Sequence, residues 1–296
     1  MEIGSMPMPP AFRYRDVFLK GRPRHVVPDP FSLRHPPMPA SRWAKIFAPF
    51  DALKGFEEAI RLKEAGCAAE ADPAQAAELS PGGIAMCCRY YMEMSPELRP
   101  IVEEMNRSPL AAKMRDLLGK PLTSEGEVRP ADLVPAVATS SGGKRAVFPM
   151  VWGYTIPGAG RPVVNCRVET APLKPLWKEG WQQHRCAIPA SWYFEWEHLP
   201  SPSGKARAGA KYLIQPRGCA LAWLAGLYRI EEFRGLKYPV FSVLTREPSE
   251  EIRFIHDRMP LILPASRVDE WISPAGDPAA VARSALTEMV FEKTAG

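Results

Sequence analysis

The amino-acid sequence predicts an α+β fold: a β-rich, mixed-sheet or barrel-like core with short flanking helices. The first observation is a series of short apolar or aromatic runs from Leu133 onward: "LVPAVAT", "AVFPMVWGY", "CAIPASWYFEW", "KYLIQ", "ALAWLAGLYRI", "YPVFSVLT" and "MPLILP". Turn residues divide them, and their β-branched and aromatic content reads as strands. The second is a pair of helix openings, Ser95-Pro96 and Ser108-Pro109, each a capping residue followed by proline at the first helical position. They predict short helices over 96–106 and 109–118, and further short helices are predicted at 249–255, 266–272 and 278–288. The third is composition: 46% hydrophobic and 24% charged residues suit a globular chain, and 33 prolines with 21 glycines supply its turns.

The front of the chain differs. Its first 40 residues are rich in proline, arginine and methionine without periodicity and are predicted to be extended or disordered. Asp51 can cap a helix that turns Leu53, Phe56 and Ile60 to one side and ends at Gly66. The stretch that follows, 67–85, is small, polar and acidic, as a linker is. The expected organisation is a front segment over 1–65, a linker over 66–85 and a globular domain over 86–296. Charge follows the same division: residues 1–54 hold nine Lys/Arg against four acids, and 55–85 hold two against six. A basic groove must therefore be local, within a net charge of only +5.

No apolar run approaches the roughly 18 residues that span a bilayer, and the first residues lack a secretory apolar core. A cytoplasmic protein without a membrane partner is expected. Cysteines at 67, 87, 88, 166, 186 and 219 form no C-x-x-C pair, and histidines at 25, 35, 184, 198 and 256 form no i, i+4 pair. Neither a disulfide framework, a metal site nor a cofactor is predicted.

Four stretches hold polar residues whose chemistry fits together: Cys87-Cys88-Arg89; "NCRVET" with Asn165, Arg167 and Glu169; Glu195 between Phe194 and Trp196; and "IHDRMP" with His256, Asp257 and Arg258. Each has a structural alternative. A buried cysteine is a small hydrophobe, Asn165 and Glu169 suit a turn, Glu195 suits a solvent-facing strand position, and His256-Asp257 suits a satisfied structural pair. Trp152 reads equally as a base-stacking surface and as a core aromatic.

In order, the chain carries "MC-x-R" at 86–89, "WGY" at 152–154, "N-x-R-x-E-T" at 165–170, "R-C-x-I-P-A-S-x-x-x-E-W" at 185–196 and "H-D-R-M-P-x-I-L" at 256–263. Together these resemble the SOS-response-associated peptidase (SRAP) family, over about residues 86–290. The resemblance implies a compact β-rich domain that shields abasic sites in single-stranded DNA through a covalent bond, in the DNA-damage response. It implies an active-site cysteine at the mature N-terminus, at Cys87, with Asn165 orienting it and Glu195 and His256 as catalytic groups. It also implies DNA contacts from Arg89 and Arg167, with Trp152 beside the cleft; Arg258 is placed with them, and a monomer is expected. Two positions depart from the family pattern: Cys88 replaces the usual glycine, and Trp192-Tyr193-Phe194 replaces Gly-Phe-Tyr. Residues 38–60, "MPASRWAKIFAPFDALKGFEEAI", resemble the YolD-like family, whose members accompany DNA-damage-response genes.

The chemistry of that assignment constrains the chain. An abasic site equilibrates with a ring-opened aldehyde. An N-terminal cysteine offers an α-amine that condenses to an imine and a thiol that closes a thiazolidine, whereas the thiol alone gives only a labile hemithioacetal. Opening the sugar is an acid–base task. The aromatic neighbours of Glu195 would raise its carboxyl pKa, and a histidine with an ordinary pKa of about 6.5 assists. Cys87 needs a free amine, so an internal start at Met86, self-cleavage or trimming by a host protease must expose it. Gly82-Gly83 can be encoded with GGAGG, seven nucleotides ahead of the Met86 codon, which favours the internal start. The alternative readings are a cysteine peptidase with Cys87 as nucleophile and His256 as base, and a non-catalytic DNA-binding module.

Overall fold

The computed structural model describes residues 89–199 and 207–294, all within one compact unit. The helix predicted from Asp51, the 66–85 linker, the YolD-like stretch, Cys87 and Cys88 lie outside the described residues.

Both Ser-Pro openings lead into helices, α1 (Arg99–Arg107) and α2 (Pro109–Leu118). α2 starts at its proline and ends at Gly119, whose φ of 63° lies in the left-handed region that closes helices. α1 starts later than expected because the Leu98 N–H donates to Ser95 Oγ at 3.1 Å, holding the Ser-Pro pair in a turn.

Beyond them, β3 (Leu133–Thr139), β4 (Arg145–Trp152), β6 (Arg185–Ala190), β9 (Ala222–Phe233) and β10 (Leu236–Arg246) form a closed ring. β10 pairs with β4, β4 with β3, β3 with β6, β6 with β9, and β9 with β10. The β10–β4 pairing is parallel and the others antiparallel. Closure leaves no open edge within the ring itself. Short strands β5 (Asn165–Arg167), β11 (Met259–Pro260) and β12 (Ile262–Leu263) attach to β10 and β9. A five-stranded sheet runs in the order β13 (Met289–Lys293), β8 (Arg207–Pro216), β7 (Trp192–Leu199), β1 (Arg89–Met92) and β2 (Gly126–Val128).

The run "CAIPASWYFEW" is therefore two strands in two sheets. Ser191 is the corner: its N–H donates to the Tyr91 carbonyl at 2.7 Å, and its Oγ accepts the Glu93 N–H at 2.8 Å. One apolar cluster joins Tyr90, Met92, Tyr193 and Ile214 of the five-stranded sheet to Val134, Met150, Trp152, Ile188 and Phe241 of the ring. A second lies under α3 (Pro175–Gln183), α4 (Val268–Ile272) and α5 (Pro278–Arg283), where Trp177, Trp181 and Trp271 cover Leu133, Val137 and Leu227.

The predicted helix at 249–255 shrinks to a 3-10 turn over Glu250–Ile252, and the one at 278–288 stops at Arg283. α3 and the short strands β1, β2, β5 and β13 had no clear sequence signal.

Arg185 opens β6 and is 1% exposed. Its guanidinium donates to the carbonyls of Trp271 (2.6 Å), Trp181 (2.6 Å), Gln182 (2.7 Å) and Ser273, the C-terminal ends of α3 and α4. Helix C-termini carry partial negative charge, which is what this cation meets in place of a carboxylate. Arg185→Lys keeps the charge but loses the planar fork. The expected result is a loss of about 2–4 kcal/mol, read as a melting temperature lowered by roughly 5–10 °C.

Candidate functional site

Glu195 lies on β7, whose two edges are covered differently. β8 covers one edge along its length, with a register shift between Trp196 and His198. Such irregularities locally increase strand twist and re-aim side chains. On the other edge Arg89, the first described residue of β1, pairs with Phe194, and farther along the His198 N–H donates to the Ile255 carbonyl at 2.9 Å. Glu195 thus sits between the first described residue of β1 and the loop that carries His256. It is 1% exposed and its Oε1 accepts the Trp196 N–H at 3.2 Å. Its cross-strand partner Tyr212 touches Phe254 of that same loop, ring centroids 5.6 Å apart.

His256 is buried, and its ring lies 3.8 Å from that of His198, centroid to centroid. Nδ1 accepts the Arg258 N–H at 2.9 Å and stands 2.8 Å from Asp257 Oδ1. Burial, then the neighbouring His198 and Arg258, outweigh Asp257 and bring its pKa down to about 4. Near neutral pH it is an uncharged imidazole, and its Nε2 has no hydrogen-bond partner among the described residues. The group is set to exchange a proton rather than to hold a charge.

Arg258 is also buried. It makes two parallel bonds to Glu169, at 2.8 and 2.7 Å, and a third to the Thr245 carbonyl at 2.7 Å. This clamp joins "NCRVET" to "IHDRMP". Burial would raise the Glu169 pKa, but the bonds from Arg258 prevail and hold it below the usual carboxylate range. A depressed carboxylate stabilises above its unfolded pKa, so this contribution is lost as pH falls below about 4.5. Glu169→Ala strands a buried guanidinium. Because Glu169 is half-exposed, the expected cost is about 2–3 kcal/mol rather than the full penalty of a buried pair. Chemical denaturation at pH 7 measures it.

Asn165, half-buried, is the first residue of β5 and pairs with Val243 of β10; the Arg258 clamp grips the same strand two residues on, at Thr245. Asn165 and the His256 loop therefore share one end of β10. Arg167 is exposed next to Glu169. Trp152 is a core residue, 1% exposed, packed against Tyr90 and Phe241 with Nε1 bonded to the Val164 carbonyl. The "WGY" motif is equally structural: Gly153 has φ 116°, and a Cβ there would meet Pro162 Cβ at 2.6 Å. Arg89 lies over Trp196 and bonds Glu127 at 2.8 Å, a carboxylate it shares with Arg129 and Lys211. The cluster keeps an excess of positive charge at the end of β1. Burial pushes the Cys166 and Cys186 thiols well up, which leaves both unreactive.

Sequence reasoning missed His198, two residues past the motif that ends at Trp196, and Lys211, which lies outside all the motifs. It also found no metal-like spacing, yet the fold brings His198, His256 and Asp257 together, one ligand atom from each lying within 4.8 Å of the others.

Comparison with known proteins agrees with the motifs. Residues 86–294 match the family described as SOS response associated peptidase (SRAP). Abasic site processing protein YoaM of Bacillus subtilis is 32% identical over 155 residues, a match covering 50% of this chain and 65% of that one. Abasic site processing protein YobE of Bacillus subtilis is 30% identical over 161 residues, covering 51% and 71% respectively. Abasic site processing protein YedK of Escherichia coli is 30% identical over 129 residues, covering 42% and 54%. A crystal structure of a Bacteroides thetaiotaomicron protein shares the fold with TM-score 0.55 at 20% identity, over 71% of this chain and 93% of that one. A phage-related protein from Bordetella bronchiseptica does so with TM-score 0.51 at 21% identity, over 71% and 95%. With a family match over most of its length, this chain belongs to the SRAP family.

Proposed function

We propose that this protein binds single-stranded DNA and joins abasic sites covalently through the α-amine and thiol of Cys87, once that residue is N-terminal. The observation that carries the reading is a buried carboxyl, Glu195, on β7 just past the Arg89–Phe194 pair, with a neutral buried imidazole, His256, on the loop that bonds the same strand at His198. Cys87 is two residues ahead of Arg89, so its Cα lies within about 7 Å of Arg89's by covalent reach alone. The names of relatives, each an abasic site processing protein, support the same substrate class.

In this reading Glu195 moves a proton to and from the sugar oxygen as the aldehyde opens, and His256 Nε2 assists imine formation or reversal. Asn165 orients the cysteine. Arg89, Lys211, Arg129 and Arg167 meet phosphates, while Arg258 acts by holding Glu169 and β10. Phosphate contacts of this kind add salt dependence and little sequence preference. The protein acts as a monomer in the cytoplasm, and peptidase or lyase steps would use the same groups.

The test incubates the protein, cut to begin at Cys87, with single-stranded DNA carrying one abasic site and resolves it on a denaturing gel. A heat-stable shifted band that Cys87→Ser loses is the expected result. No band from a chain confirmed by mass to begin at Cys87 would overturn the proposal, and cleavage of unrelated peptides would favour the cysteine-peptidase reading.

A further inference from the structure

The His198–His256 contact has no role in the steps above, and it is chemically unusual. The rings lie 3.8 Å apart at a tilt of 54°, and Nε2 of each is shielded from solvent without a hydrogen-bond partner among the described residues. Buried polar atoms left unsatisfied point to a group that the protein alone does not supply, such as a water or an ion.

We infer that His198, His256 and Asp257 form a binding site for a divalent transition-metal ion of the zinc class, and that its occupancy inhibits the protein. Two imidazole nitrogens and one carboxylate oxygen are a donor set that zinc, cobalt and nickel accept. The three ligand atoms lie within 4.8 Å of one another, whereas tetrahedral zinc with bonds of about 2.0–2.1 Å holds ligands roughly 3.3 Å apart. The difference is closed by rotation of Asp257, whose side chain is 79% exposed, while the backbone bond from the His198 N–H to Ile255 keeps the imidazoles together. Arg258, the nearest cation, directs its guanidinium to Glu169 and Thr245. Each neutral imidazole donates a nitrogen lone pair and no electron is transferred; its single ring proton sits on the nitrogen that does not coordinate, moving there from the coordinating nitrogen where necessary. Metal and substrate therefore compete for His256. The inhibitory half of the inference rests on the function proposed above, but the binding half does not.

Binding is measured on the full chain by calorimetry with Zn²⁺ and by the visible absorption of Co²⁺. One equivalent is expected, with affinity lowered at least tenfold in both His198→Asn and Asp257→Asn. Asp257 is exposed, so its variant folds even if His198→Asn does not. In crosslinking-competent protein, Zn²⁺ should slow adduct formation, chelator should restore it, and the rate of Asp257→Asn should be the same with and without Zn²⁺. No stoichiometric binding, binding untouched in both variants, or binding abolished only by Cys87→Ser would overturn the site. Binding as expected in a protein that never crosslinks DNA would leave the site standing and remove the proposed function.

Discussion

A chain that begins at Cys87 is expected to form a denaturation-resistant adduct with abasic-site DNA, and the 296-residue chain with Cys87 in peptide linkage none. The difference is all-or-none because it lies in covalent chemistry. An amide nitrogen has its lone pair delocalised into the carbonyl and does not condense with an aldehyde. An α-amine with a pKa of about 7.7–8.0 is partly neutral at pH 7 and does. The imine it forms places the thiol where it closes a five-membered ring. A thiol alone gives a hemithioacetal that reverts on denaturation. Acetylating the exposed amine while leaving the thiol free is the matching control, and it too should abolish the band. A heat-stable adduct from the unprocessed chain, with its intact mass verified, would rule out the amine's role. Intact mass of the protein made in its native host then tells which N-terminus exists.

Most of the ring was legible in the sequence because its strands are bounded by turn residues and carry their own apolar pattern. "LVPAVAT" is β3 residue for residue, "YPVFSVLT" falls inside β10, and "ALAWLAGLYRI" starts two residues before β9 and lies within it from Ala222 on. What failed depended on distant partners. β1, "RYYM", is a strand because β7 and β2 flank it. β13 begins just past the helix predicted over 278–288, and "MVFEK" is a strand because it pairs with β8. Ser191 turns one apparent strand into two through bonds to Tyr91 and Glu93, which no local pattern announces.

The site divides in the same way. Asn165, Glu195 and His256 were visible as residue types within motifs. The role of Arg258 was not, since it was placed among the DNA contacts while the fold buries it on Glu169; for Trp152 the sequence left a stacking surface and a core aromatic equally open, and the fold packs it against Tyr90. His198 was invisible for the opposite reason. It is 58 positions from His256 in the chain, and only the pairing of β7 with the 249–258 loop brings the two together.

Glu195→Gln is expected to slow adduct formation by about 10²–10⁴-fold, the usual contribution of a positioned general acid–base group. The substitution preserves shape and can still accept the Trp196 N–H, so folding should be unaffected while proton transfer to the sugar oxygen is lost. His256→Gln should be milder. Because burial and its neighbours keep His256 near pKa 4, it stays unprotonated from about pH 5.5 upward and imposes no inflection of its own across the neutral range. The wild-type rate should instead rise towards pH 8 as the Cys87 amine loses its proton. The rise should persist in both variants, since neither change touches the amine. A pre-opened aldehyde substrate separates the steps: with no sugar ring to open, the Glu195→Gln defect should shrink to within about tenfold of wild type, because only the ring-opening proton transfer has been bypassed. An undiminished defect on that substrate would move Glu195 from sugar opening to the condensation itself. A wild-type rate on the ordinary abasic site would remove it from the chemistry.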